Sequence, residues 1–200
     1  MPKENNPMPD NWRVLDPRRS GRITRYHTWP RIQQQSVGEH SWQVMRIILA
    51  IWPDADRDLL IHTVTHDVGE IATGDLPFPA KARDPELKKK IDDAEKSTHL
   101  RMSMPWSLPA PKALSPEQMT VFKLAEYIEM WEWALDDMDM GNSNAELVRI
   151  RTLEAIEKMT PDVPTDVQVR AHSYMQRRAC VSGPDKKAMV TLVKGEVVNG

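Results

Sequence analysis

The apolar residues of this chain recur at helical spacing and seldom alternate, and that pattern constrains the fold more than any other feature. Val44, Ile47, Ile48 and Ile51 fall at i, i+3, i+4 and i+7, and Pro53 stops the helix they define. A second helix is predicted from about Asp56 to Val68, carrying Leu59, Leu60, Thr63 and Val64 together with His62 and His66. "GDLPFPAKARDP" is too rich in proline and glycine for regular structure and reads as a loop. A charged helix from about Glu86 to Leu100 follows, then a proline-broken connection, "MPWSLPAPKALSP". Ser115, Pro116 and Glu117 open the longest helix with an N-cap, a first-turn proline and an acid near the positive end of the dipole. Leu124, Ile128, Trp131 and Leu135 form its apolar stripe, and helices near 143–160 and 165–180 complete an all-α bundle. At 200 residues, one domain is expected over 16–182, with a peripheral arm at 1–15 and a tail at 183–200.

Charge and composition exclude several partners. A net charge of −2 gives no footprint for nucleic acid. "IILAIW" is the longest apolar run, far short of the roughly 20 residues that span a bilayer, so no membrane partner is expected. The single cysteine, Cys180, has no internal disulfide partner, and "MPKENNPMPDNW" carries no secretory signal; the expected location is the cytoplasm.

The chemistry concentrates in "THDVGEIATGDLPFPAK", residues 65 to 81, where a histidine and an aspartate stand side by side with a glutamate three positions on. One reading binds a divalent metal through His40, His66 and Asp67 and a fourth ligand further along the chain, because imidazole and carboxylate suit zinc, manganese, cobalt or iron and leave room for water. The plain alternative is the polar end of a buried helix. His62 and His66 share a helix face at i and i+4, but Thr63 stands where the zinc-peptidase motif needs glutamate, so His62 reads as a packed or surface residue. His99 and His172 lie in charged stretches and are expected to be solvated. Glu70, one turn beyond the pair, is placed to handle a proton. Asp75 follows in the loop, and Lys81, after two prolines, offers an ammonium for phosphate.

"RYHTWP" (25–30), "SVGEHSWQV" (36–44), "HDVGEIATGDLPFPAK" (66–81) and "KLAEYIE" (123–129) together resemble the HD-domain phosphohydrolase superfamily, in particular its branch of bacterial 5'-deoxynucleotidases and their phage relatives. "RYHT" further resembles the phage dATP triphosphohydrolases, which deplete dATP in phages that use 2-aminoadenine. The resemblance implies an HD-domain helical bundle and one divalent transition metal of the cobalt, manganese or zinc type, with magnesium carried on a triphosphate. It implies His40, His66 and Asp67 as ligands. The family's last ligand is an aspartate in "K-x-A-D", which here reads "KLAE", so Glu126 takes that place. Glu70 and Asp75 would be catalytic, and Arg25, Lys81 and Lys123 would hold phosphates. Tyr26, Thr28 and Trp29 would contact the base, though Trp29 before Pro30 suits core packing nearly as well. Trp42, Trp52, Trp106, Trp131 and Trp133 are assigned to packing or subunit contacts.

The implied reaction is hydrolysis of a deoxynucleotide, most simply dATP to deoxyadenosine and triphosphate. A deoxynucleoside monophosphate as substrate is the first alternative, and a non-catalytic helical interaction protein with a vestigial site is the second. A homo-oligomer, a dimer or a ring of dimers, is expected.

Overall fold

The computed structural model describes residues 16–76, 81, 83–110 and 112–181, so the expected arm at 1–15 and tail at 183–200 lie outside the described residues. A short helix, α1 (Pro17–Ser20), leads into a two-residue antiparallel ladder, β1 (Thr24–Arg25) and β2 (Gln35–Ser36), which pairs Thr24 with Ser36 and Arg25 with Gln35. Among the described residues six longer helices follow: α2 (Val37–Ile51), α3 (Arg57–Thr65), α4 (Pro85–Trp106), α5 (Pro116–Asp139), α6 (Ala145–Met159) and α7 (Thr165–Val181). The all-α expectation holds, and the ladder is a local addition to it.

Helix starts follow their caps. Ser36 and Glu39 form a reciprocal capping box on α2, Ser115 and Gln118 do the same on α5, and Asp56 and Asp84 cap α3 and α4. Helix α5 is the central element: it packs against α2, α3, α6 and α7. Its buried stripe of Leu124, Ile128, Trp131 and Leu135 meets Val44, Ile47, Ile48 and Ile51 of α2 and the Val167–Ala171–Met175–Ala179 stripe of α7 in one core. Trp52 packs at the edge of that core, Trp133 is buried in a smaller cluster, and Trp42 stands 60% exposed on α2.

Two expectations are corrected. The second helix does not reach Val68: it ends at Thr65, with His66 as its C-cap, and gives way to a 3₁₀ turn over Val68–Ile71. The reason is tertiary. Gly69 lies so close to α4 that a Cβ there would come within 2.3 Å of the Glu95 carbonyl oxygen, so the tighter turn and α4 fit together only around a glycine. His99 is buried rather than solvated, and its Nε2 donates to the Pro109 carbonyl at 2.9 Å, tying α4 to the connection behind it; His172 is half-buried. Among the described residues, no helix is long and apolar enough to cross a membrane.

Candidate metal centre

Adjacent residues on a helix point about 100° apart at 3.6 residues per turn, so a His-Asp pair converges only where the helix breaks. Here it does. Asp67 sits at φ −97°, ψ 7°, outside helical geometry, and its side chain swings alongside the His66 ring. His40, on the first turn of α2, reaches the same point, and the three ligand atoms lie within 4.8 Å of one another. His66 Nε2 is 3.0 Å and His40 Nε2 3.9 Å from Asp67 Oδ2.

Both Nε2 atoms are buried and neither has a hydrogen-bond partner. A buried polar atom left this way costs about 1–3 kcal/mol, and two of them aimed at one carboxylate fit a cation between them. The other ring nitrogens fix the tautomers. His66 Nδ1 donates to the Thr63 carbonyl at 2.8 Å, and His40 Nδ1 donates to Glu129 Oε2 at 2.8 Å. In its neutral form each ring therefore presents a lone pair at Nε2, the form that binds metal. Two imidazoles and a carboxylate fit zinc, manganese or cobalt. Burial acts to raise the Asp67 carboxyl, but positive charge, on the His66 and His40 rings when protonated and on Arg25, outweighs it and holds the group below the usual carboxylate range, so it is an anion.

Glu126, on α5, brings Oε1 to 3.6 Å from His66 Nε2 while Oε2 accepts from Lys123 Nζ at 2.5 Å. Lys123 is half exposed and spent largely on that pair. Lys81 likewise faces Glu95 at 3.5 Å. Arg25 is 12% exposed and donates to Gln35 Oε1 at 3.3 Å and to Glu129 Oε2 at 3.4 Å, the oxygen that His40 Nδ1 also meets. His62 packs edge-on against Phe122 at 4.7 Å, and burial pushes its pKa down to about 4, so it is a neutral wall of the site.

Glu70 is buried, with Oε2 unpartnered. Burial pushes its carboxyl up to about 9, with repulsion from Asp67 and Asp75 adding to the effect and Lys81 opposing it. At neutral pH it holds a proton. Asp75 follows Gly74, whose φ of +72° suits glycine, and its Oδ2 accepts from the Tyr26 amide at 3.2 Å. That contact ties the loop after the His-Asp turn to the hairpin. Tyr26 is itself left-handed, at φ 55°, and stacks on Trp133 at 3.9 Å between ring centroids. Trp29 joins the same small cluster, and Thr28 is exposed. The structure thus gathers His40, His66 and Asp67 around one point, with Glu126 3.6 Å from His66 Nε2 and Arg25 on the Glu129 carboxylate that His40 also meets. It spends Lys81, Lys123, Tyr26 and Trp29 partly on protein contacts.

Sequence reasoning missed Glu129, Gln35 and Glu95. Glu129 had a signal, since it lies at i+3 from Glu126 on the same face of α5. Gln35 and Glu95 have none within their own segments.

The family model described as 5'-deoxynucleotidase YfbR-like matches residues 18–176. The 5'-deoxynucleotidase YfbR of Escherichia coli is 27% identical over 173 residues, covering 74% of this chain and 86% of that protein. A 5'-deoxynucleotidase of Pasteurella multocida is 28% identical over 156 residues, covering 68% and 78%. Among solved structures, the HD phosphohydrolase DatZ of cyanophage S-2L, bound to dA and one catalytic zinc ion, superposes with a TM-score of 0.62 at 20% identity over 80% of this chain and 92% of its own. An HD-domain phosphohydrolase of Listeria innocua gives a TM-score of 0.66 at 17% identity over 92% and 96%. A match that begins in α1 and ends in α7 takes in the hairpin, the His-Asp turn and the central helix, and the chain belongs to the YfbR-like 5'-deoxynucleotidase family.

Proposed function

We propose that the protein hydrolyses 2'-deoxynucleoside 5'-phosphates at the phosphorus bonded to the 5'-oxygen, releasing the deoxynucleoside. The observation that carries this reading is the pair of buried, unpartnered Nε2 atoms of His40 and His66 converging on Asp67 beneath Arg25. His40, His66 and Asp67 would hold a divalent transition ion, with Glu126 the fourth side chain in reach. Such an ion supplies Lewis acidity at phosphorus and lowers the pKa of water towards roughly 7. The remaining work falls to side chains. Arg25 would meet non-bridging oxygens and offset the charge that builds at phosphorus. Glu70, protonated at neutral pH, supplies the proton that the departing 5'-oxygen needs. Asp75 orients the hairpin through the Tyr26 amide and so sets where Arg25 stands.

A monophosphate substrate is the better supported of two readings, because the family and its curated relatives are 5'-deoxynucleotidases and because Lys81 and Lys123, which a triphosphate chain would need, already face Glu95 and Glu126. The second reading is cleavage of dATP to deoxyadenosine and triphosphate. It is favoured by the "RYHT" segment and by the fold shared with the dA-bound phage enzyme. Both readings attack the same atom and keep the same ligands.

The test incubates purified protein with manganese, cobalt or zinc and each of the four deoxynucleotides at mono- and triphosphate level. Orthophosphate released from monophosphates supports the first reading, and inorganic triphosphate released from dATP supports the second. No release from any of the eight refutes both. Monomer, dimer or ring is read from light scattering; we expect an oligomer, with the exposed Trp42 and Leu49 of α2 at the contact.

A further inference from the structure

Glu129 lies outside the set of metal-facing residues, yet it is among the most enclosed charges in the chain, at 2% exposure. Three groups converge on it: His40 Nδ1 at 2.8 Å, the Gln35 side-chain amide, and Arg25 Nη1 at 3.4 Å. A carboxylate only accepts, so the ring proton of His40 must sit on Nδ1, and the lone pair on Nε2 must face Asp67 and His66. His66 has its tautomer set by a main-chain carbonyl, which no substitution at that position removes. His40 depends on a side chain. We infer that Glu129 is a positioning residue for the metal centre, fixing the tautomer and tilt of His40 through Oε2 while the same oxygen also accepts from Arg25, so that cation affinity and anion binding are set from one carboxylate. The inference rests on the metal reading of His40, His66 and Asp67.

The rival role for Glu129 is a charge partner for Arg25 alone. His40 and Arg25 reach the same oxygen, Oε2. Its distance to His40 is the shorter of the two.

The test is zinc affinity of the full chain, measured by chelator competition without nucleotide, for wild type and Glu129→Gln. Long-range ¹⁵N–¹H spectra of the histidine rings are recorded alongside. A weakening of about 10–100-fold, with His40 passing from the Nδ1–H form to a mixture of tautomers, is the expected result. An unchanged affinity and an unchanged His40 tautomer in a folded Glu129→Gln protein overturn the inference, leaving only the Arg25 role. If Glu129→Gln does not fold, Glu129→Asp decides: it keeps the negative charge but draws the accepting oxygen back from the His40 ring, so zinc affinity falls if the inference is right and holds if it is wrong. Wild-type protein that takes up no zinc, cobalt or manganese overturns the metal reading and this inference with it. Metal uptake without phosphate release from any deoxynucleotide overturns the proposed reaction alone.

Discussion

Replacing Gly69 with alanine tests the claim that close packing of α4 against the 3₁₀ turn shapes the metal centre. An added Cβ would stand 2.3 Å from the Glu95 carbonyl oxygen, 2.6 Å from its carbon and 2.7 Å from Glu95 Cα. A C···O contact relaxes at about 3.3 Å or more, so turn and helix must part by about 1 Å. All three atoms are backbone within a 22-residue helix, which cannot yield locally as a side chain would. Overpacking of this kind costs about 1–3 kcal/mol. For a chain of this length that corresponds to a fall in Tm of roughly 3–10 °C. The same displacement carries Asp67 and Glu70, and a misplacement of about 1 Å at a reacting centre costs about 100-fold in rate. Thermal melts by circular dichroism and zinc affinity by chelator competition read the two effects. A Gly69→Ala protein that melts within about 1 °C of wild type and binds zinc equally would refute the packing argument, because the turn would then be held by something other than this contact.

His66→Ala removes one of two nitrogen ligands and should abolish stoichiometric zinc or cobalt in protein purified and dialysed against metal, measured by elemental analysis. Retention of one ion per chain would move the site elsewhere. For Glu70 the sign follows from its raised pKa. The folded state binds the proton more tightly than the unfolded state, so stability falls as pH rises from the ordinary glutamate range, about 4.3, towards about 9. Glu70→Gln should therefore raise Tm at pH 8 relative to wild type and narrow the gap at pH 4, while lowering kcat by about 10²–10⁴-fold. The wild-type rate should decline as pH passes the Glu70 pKa, and an alkaline limb surviving intact in Glu70→Gln would assign it to another group.

Much of this architecture is legible in the sequence because it is local. The i, i+3, i+4 pattern of α2, the Ser115-Pro116-Glu117 start of α5 and the proline-broken connections all act within a few residues of themselves. What escapes is what the chain settles only on folding. Helix α3 ends at Thr65 because α4 approaches Gly69, and no periodicity within "LLIHTVTHDVG" records that neighbour. His40 and Glu129 are 89 positions apart, so the bond between them has no local trace. Tyr26 and Trp29 sit close to Arg25 in sequence, but their rings join Trp133, another element's residue, in the smaller cluster. The candidate ligands themselves were readable because their residue types and order carry the chemistry, whereas their burial and tautomers are properties of the packed state.

The departure from the family's aspartate at Glu126 has a structural rationale in the same terms. A glutamate reaches about one methylene further than an aspartate, and a longer carboxylate in a metal site swings unless its second oxygen is tethered. Lys123 provides that tether: at i−3 on α5 it lies on the same face and takes Oε2, which leaves Oε1 directed at His66 Nε2 from 3.6 Å. On this reading the "K" and the "E" of "KLAE" would work as one unit, with Lys123 serving the cation by holding a carboxylate in place of a phosphate. Neutralising one of them alone should show this. Lys123→Met frees Glu126 and weakens zinc binding by several-fold while leaving KM for a monophosphate within about twofold; a lysine acting on phosphate would instead raise KM and leave zinc affinity untouched. The two readings of the lysine thus separate on which ligand, cation or anion, loses affinity when its charge is removed.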